Sequence, residues 1–409
     1  MKHVLIVGKS FSGTKNYLAE HGLTYTILQD RLATKFPDKK FKNRVVADFS
    51  TVDSLLTAVD NLKEKPDAVI TTYENYVLPA AHISTHLQLH GLPVSSAEAC
   101  TDKSLMRSLF AKAPEKISPD FMTINSEEEL LSFAHAHKFP LVIKPANLAK
   151  SLLVTKSNNE QELRANYQRA IEHLTSTYAR YAPGRQPKLL VEEFLSGSIH
   201  SVDAFVDSSG EPHILDNVVD YQTGYDIGYE DNFHYSRILP SKLPSDQQAS
   251  LRKCASIGIR ALGMKSSPAH VEIIMTADGP RIVEIGARNG GYRERMHGVA
   301  NGIDITANAI NLILDKPLDI KARRNDSMAV LELFPKTPGI FSHIKNEDML
   351  RTLSSLEYLS IKAKVGNYVG KAGDGYKMCA IVALHNADPL QFQNDLDFVN
   401  DNVSVVTNS

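Results

Sequence analysis

The run HVLIVG (residues 3–8) is apolar at almost every position, the pattern of a strand covered on both faces. TYTILQ, RVVAD and DAVITTYE read as further strands of the same kind. Between them, SLLTAVDNLKEK and YVLPAAHISTHLQLHG are helical stretches, the second closed by Gly91-Leu92-Pro93. Strand and helix in alternation predict a small doubly wound, Rossmann-like sheet over residues 1–95. The turn GKSFSGTK after the first strand lacks the glycine spacing of a P-loop and is read as a plain strand-to-helix connection.

From residue 96 the pattern changes. SAEACTDKSLMRSLF predicts a helix, with Ser96 or Thr101 as N-cap. A short strand, a helix capped at Ser126 and a strand ending in Lys144-Pro145 follow, and then a strand and the long amphipathic helix of EQELRANYQRAIEHLTSTYARY. After the loop APGRQP come strands in succession, KLLVEEFL, IHSVDAFVD and PHILDNVVDYQ. SDQQASLRKCASIGIRALGM is a helix, HVEIIMTADGPRIVEIG a hairpin and DITANAINLILD a helix. Shorter elements such as SMAVLELF and KMCAIVALH fill the remainder. The expected division is 1–95, 96–187, 188–315 and 316–409, the last a small α+β domain.

Composition narrows the class. A chain of 409 residues is too long for one core, and 43% hydrophobic with 22% charged residues is ordinary for a globular protein. A net charge of −2 without a basic run speaks against nucleic acid. No apolar run approaches the roughly 20 residues of a membrane helix, and the N-terminus reads as a strand rather than a signal peptide. Cys100, Cys254 and Cys379 are too scattered for a disulfide framework or zinc cluster. They suit buried thiols in a reducing, cytoplasmic setting.

The hairpin carries the first chemistry. A turn centred near Asp278 sets Glu272 opposite Glu284 on one face, where two carboxylates tolerate each other only around a proton or a cation. Oxygen ligands without His or Cys suit Mg²⁺, with Mn²⁺ as an alternative. Arg288 continues that face and is suited to a transferring phosphoryl group. Lys103 on a helix and Lys144 at a strand end supply charge for phosphates, and LVEEFLSG offers an edge segment to adenine. Two further stretches suit substrate. YQTGYDIGYEDNFHYSR, with Tyr225 and His234, fits a loop that shapes a pocket. RNGGYRERMHG offers Gly290 and Gly291 for backbone N–H groups and Arg293 or Arg295 for a carboxylate. His270 and His297 stand as further candidate bases.

TDKSLMR, LVIKP, LVEEFLSG with HSVDAFV, and HVEI…RIVEIGARNGG occur in an order that resembles the ATP-grasp superfamily, in its carboxylate–amine ligase branch with the L-amino-acid (dipeptide) ligases. The resemblance spans Thr101 to Asp304. It implies a two-lobed ATP-grasp domain over 96–187 and 188–315, between the doubly wound domain and the C-terminal one. It implies that Lys103 and Lys144 bind ATP phosphates and that Glu192, Glu193 and Leu195 form the adenine hinge, with Phe194 as packing. Glu272 and Glu284 become magnesium ligands, and Arg288 with Lys144 catalytic. The implied reaction activates a small carboxylate as an acyl phosphate and joins it to an amine, releasing ADP and phosphate; a homodimer is left open. A catalytically impaired ATP-binding protein and an ATP-grasp carboxylase or carbamoyl-phosphate-type enzyme are the alternatives.

Three positions depart from the family. The loop after the lysine strand, Ala146 to Ser151, has no glycine and is expected to be stiff, touching phosphate through Lys150 and Ser151 side chains. Ile199 stands where a ribose-binding Glu is common. Gly286 stands where the metal strand often carries an asparagine, so one oxygen ligand is missing.

Overall fold

A computed structural model describes residues 2–9, 12–34, 42–148, 152–182 and 185–408. The N-terminal part is the expected parallel sheet, in the order Arg44–Ala47, Thr24–Asp30, His3–Val7, Ala68–Ile70. Its central strand is buried throughout because both faces are covered. On one face Leu5 and Val7 pack with Leu55 and Ile83; on the other Val4 and Ile6 meet Phe205 and the helix Ile305–Ile313. That second contact ties this domain to the rest of the chain.

A four-stranded antiparallel sheet follows, in the order Phe121–Ile124, Leu189–Glu193, Leu141–Pro145, Thr155–Ser157. The helices Glu127–Ala136 and Glu160–Tyr181 share its core through Leu130, Phe133, Leu163 and Tyr167. Leu189–Glu193 lies between the first strand and the lysine strand. The expected limit after residue 187 therefore falls one strand early, and the chain leaves this lobe after Glu193.

The large sheet runs Gly279–Gly286, Ser267–Thr276, Ser198–Val206, Val219–Thr223, His234–Leu239, Ser327–Leu333, Ala380–Asn386, Leu356–Ile361, with Pro212–Ile214 also paired to Ser198–Val206. Its last three strands come from the C-terminal quarter of the chain. Met328 pairs with Leu239 and Leu331 with Ser236, so the expected limit at 315/316 cuts through one continuous sheet. Only Tyr368–Val369, Gly339–Lys345 and Ser404–Asn408 form a separate small sheet there. The apolar alternation of SMAVLELF satisfies a strand of either sheet equally, so pattern alone does not assign it.

Candidate functional site

Asp102 caps the helix Lys103–Phe110, accepting from the backbone N–H of Ser104 at 2.9 Å. The Lys103 N–H donates to Ala146 O at 2.7 Å, so this helix start is tied to the end of the lysine strand. Lys103 and Arg107 are four residues apart and share one helical face. Lys103 Nζ meets Glu284 Oε2 at 2.8 Å and donates to Leu148 O at 3.3 Å. Arg107, fully buried, donates from Nε to Glu192 Oε1 at 3.0 Å and from Nη2 to Val283 O at 2.8 Å. Its Nη1 is buried with no partner among the described residues.

In the small sheet Val142 pairs with Glu192 and Lys144 with Leu190, so Lys144 and Glu192 are diagonal neighbours on one face. Their side chains meet at 2.6 Å. Burial, with Arg107 and Lys103 nearby, pushes the Lys144 ammonium down to about 8. Burial opposes ionisation of Glu192, but Arg107 and Lys144 outweigh it and hold the carboxyl below its ordinary range. Two cations thus share one carboxylate of this wall, while Lys103 reaches across to Glu284.

Strand alternation sends Glu193 to the other side, where Oε2 accepts from the Asp120 N–H at 2.9 Å and lies 3.4 Å from Lys116. Of the expected hinge, only Glu192 turns its side chain to the lysines. Leu195 is half-buried between the sheets, and Phe194 is exposed, with Lys156 Nζ 4.1 Å above its ring. Lys150 and Ser151 lie outside the described residues.

The hairpin forms the opposite wall. Thr276 pairs with Gly279 and Ile273 with Ile282, a register that continued unbroken would set Glu272 against Val283. A bulge at Val283 shifts it by one, and Glu272 faces Glu284 as expected. The carbonyl of that bulged residue is the one Arg107 binds. Burial opposes ionisation of Glu284, but Lys103 keeps its carboxyl below the usual range. Glu272 is likewise lowered against the effect of burial, first by the His270 ring 3.6 Å away.

Arg288 Nε pairs at 2.9 Å with Glu74, a residue of the N-terminal domain that sequence reasoning left out. It also missed Arg107, although the four-residue spacing from Lys103 was visible, and the polar network behind Glu272. There His270 Nδ1 is 2.7 Å from Asp203 Oδ1, and Arg293 donates to Asp203 Oδ2 at 2.9 Å, Ser201 Oγ at 2.8 Å and Tyr221 OH at 2.7 Å. Burial opposes ionisation of Asp203, yet His270 and Arg293 hold it well below the carboxylate range. Polar residues at alternate positions of an otherwise buried strand, Ser201 and Asp203, were the available signal.

The expected substrate residues divide. Arg293 is buried in that network, and Arg295 is on the surface with its Nη1 2.6 Å from both oxygens of Glu357. At Gly290 a Cβ would stand 2.5 Å from His270 Nδ1, so this glycine serves close packing; Gly291 is open. Tyr225 is exposed. His234 is half-buried, edge-on to Tyr221 with ring centroids 4.6 Å apart, and burial lowers its pKa. Beside it, Arg237 Nη1 and Glu332 Oε2 lie 3.4 Å apart, and Tyr292 donates to Glu332 Oε1 at 2.6 Å.

The set fits a nucleotide with a hard divalent cation: surplus ammonium and guanidinium groups on one wall, carboxylate oxygens without thiol on the other. Glu272 and Glu284 would hold the ion, and Lys103, Lys144 and Arg107 would face anionic oxygens.

The architecture is that of the ATP-grasp fold. Residues 137–294 match the family model described as an ATP-grasp domain, and the chain carries that domain. Among curated relatives, an alanine–anticapsin ligase of Bacillus subtilis is 28% identical over 238 residues, 55% of this chain and 49% of that protein. D-alanine–D-alanine ligase A of Salmonella typhimurium is 27% identical over 207 residues, 48% of this chain and 52% of that protein. The chain thus spans about half the length of the curated relatives it matches. In architecture it is similar to an L-amino acid ligase from Bacillus licheniformis, with a TM-score of 0.79, 18% identity and coverage of 100% and 99% of the two chains. Among the described residues no helix is long and apolar enough to cross a membrane.

Proposed function

We propose that this protein is an ATP-dependent ligase that joins a small carboxylate, an amino acid or a similar acid, to an amine. The carboxylate oxygen attacks the γ-phosphorus, giving an acyl phosphate and ADP. The amine nitrogen then attacks the acyl carbon, phosphate leaves, and the nitrogen gives up a proton. Lys103 and Lys144 hold phosphate oxygens, together with Lys150 and Ser151. Glu192 and the chain through Leu195 receive adenine, and Glu272 and Glu284 hold Mg²⁺. When bound, Mg²⁺ would supply charge neutralisation to the phosphate groups. Arg288 faces the transferring phosphoryl group and the developing charge of the acyl phosphate. The group around Arg237, Glu332, Tyr292 and His234 is the substrate end.

The observation that carries this reading is the 2.8 Å contact of Lys103 with Glu284. It brings the cationic wall and the carboxylate wall into direct contact, so that groups of both walls are within reach of one phosphate chain and its cation. The similarity to amino-acid ligases in sequence and architecture supports the choice of acid and amine as substrates.

The test is ADP release with ATP and Mg²⁺ across a matrix of carboxylates and amines. Release that depends on an acid and rises with an amine supports the ligase. Arg288→Met is expected to slow it about 100-fold or more while nucleotide binding persists. Nucleotide binding with no stimulated release across the matrix would leave an impaired ATP-binding protein, and turnover that depends on bicarbonate would identify a carboxylase.

A further inference from the structure

Gly286 lies two residues beyond Glu284 on the same strand, so both present to the same face. Its backbone is outside the left-handed region, and nothing in its dihedrals requires glycine. Space does. A Cβ at this position would stand 3.2 Å from Glu74 Oε2 and 3.5 Å from the Arg288 guanidinium carbon. The room that a side chain at 286 would fill is occupied by a carboxylate delivered from another domain.

Glu74 opens the short turn Glu74–Tyr76 that follows the strand Ala68–Ile70. Both of its carboxylate oxygens are buried, and apart from the ion pair with Arg288 neither has a hydrogen bond among the described residues. A buried carboxylate with unused lone pairs, beside Glu284 and in the place of a missing oxygen ligand, is suited to a cation.

We propose that Glu74 is the third protein oxygen of the divalent-cation site formed with Glu272 and Glu284, replacing the side chain that Gly286 lacks. The proposal rests on the ATP-dependent reading above. In the structure each carboxylate is held by its own cation: Glu284 by Lys103, Glu74 by Arg288 and Glu272 by His270. Their oxygens do not converge as a trio within 4.8 Å. With a cation held by these carboxylates, Lys103 and Arg288 would be released from Glu284 and Glu74 and free to meet phosphate. The one trio of described His, Cys, Asp and Glu residues that does converge, Asp120, His137 and Glu193, already has a cation, because Lys116 Nζ lies 3.0 Å from Asp120 and 3.4 Å from Glu193.

The test counts bound Mn²⁺ by the electron paramagnetic resonance signal of the free ion, in the full chain with a non-hydrolysable ATP analogue. Glu74→Ala is expected to weaken Mn²⁺ binding at least about tenfold or to lose one ion. Glu74→Gln, which keeps the shape and removes the charge, weakens it in the same direction and guards against misfolding of the first variant. The double variant Glu74→Ala/Gly286→Asn, in which the new side chain enters the vacated space, is expected to regain most of the affinity. Wild-type Mn²⁺ binding in both single variants would overturn the proposal. So would a loss that the double variant does not relieve, which would leave Glu74 only the task of positioning Arg288. Analogue affinity measured in chelator keeps the two readings apart. If wild type binds no analogue, the ATP-dependent reading falls; if all variants bind it and Mn²⁺ binding is unchanged, only the role of Glu74 falls.

Discussion

Two clusters of buried charge lie on either side of the Glu272–Glu284 pair, and they are built on opposite principles. The cluster behind Glu272 is closed: Asp203 and Glu272 face His270 and Arg293, and the donors of Arg293 end on Asp203, Ser201, Tyr221 and the Gly291 carbonyl. The cluster on the lysine side is open. Lys103, Lys144 and Arg107 have one carboxylate of their own, Glu192; Lys103 borrows Glu284 from across the cleft, and Arg107 Nη1 has no partner among the described residues. A closed set has its energy already spent in holding strands and the helix Arg293–Asn301 together. An open set keeps charge in reserve for a ligand, at a cost in stability that the ligand returns.

The contrast is broken most severely at Arg293. Removing one partner of a buried, hydrogen-bonded pair leaves the other charge unmatched, a loss of about 3–5 kcal/mol. Arg293→Met should therefore lower the denaturant midpoint strongly, and the affinity for substrate in the surviving folded protein should be little changed. The opposite result, unaltered stability with a raised KM for the acid, would mean that Arg293 grips substrate, as its place in RNGGYRERMHG first suggests.

Lys144 sharpens the other half. Its ammonium, pushed by burial to about 8 from the ordinary lysine value near 10.4, is charged below pH 8 and lost as pH rises through it. Between these two values the unfolded chain keeps the proton and the folded one does not, so this group makes the protein relatively more stable as pH rises there. Phosphate binding runs the other way, because phosphate needs the ammonium. Nucleotide affinity is expected to fall about tenfold per pH unit above 8, until the higher pKa of the bound state is reached. The measurement is the dissociation constant of ADP from pH 7 to 9.5, with Lys144→Met as the flat control. An equally steep profile in that variant would assign the proton elsewhere.

The open cluster was the more legible one in the sequence, for a physical reason. Lys103, Lys144 and Glu192 are charges set in buried local frames, and a buried charge in an apolar strand or on a helical face stands out against its neighbours. The Glu272–Glu284 pairing was legible too, though by way of a turn centre that the bulge at Val283 makes valid. What escaped depends on contacts distant in the chain. Glu74 sits in a short turn with no periodicity and reaches Arg288 from another domain. Gly286 shows as a missing ligand in sequence, but only the structure shows what fills the space. The strands of the C-terminal quarter look the same whether they make their own sheet or extend another, and here hydrogen bonding to His234–Leu239 decides it.

The smallest effect belongs to Arg295, two residues from Arg293 on the same helix and therefore on a different face. Its guanidinium pairs with both oxygens of Glu357 and lies 4.3 Å from the centre of the Tyr358 ring, but the side chain is 38% exposed. Water and salt screen such a pair, and ordering two long side chains offsets part of the attraction. Arg295→Ala is expected to cost about 1 kcal/mol or less, an amount that shrinks in high salt, and to leave KM for acid and amine unchanged. A clear rise in KM would show that Arg295 leaves Glu357 for substrate and that the surface beyond the closed cluster belongs to the site. The difference between the fates of Arg293 and Arg295 would then lie in when each is engaged, not in whether it meets the ligand.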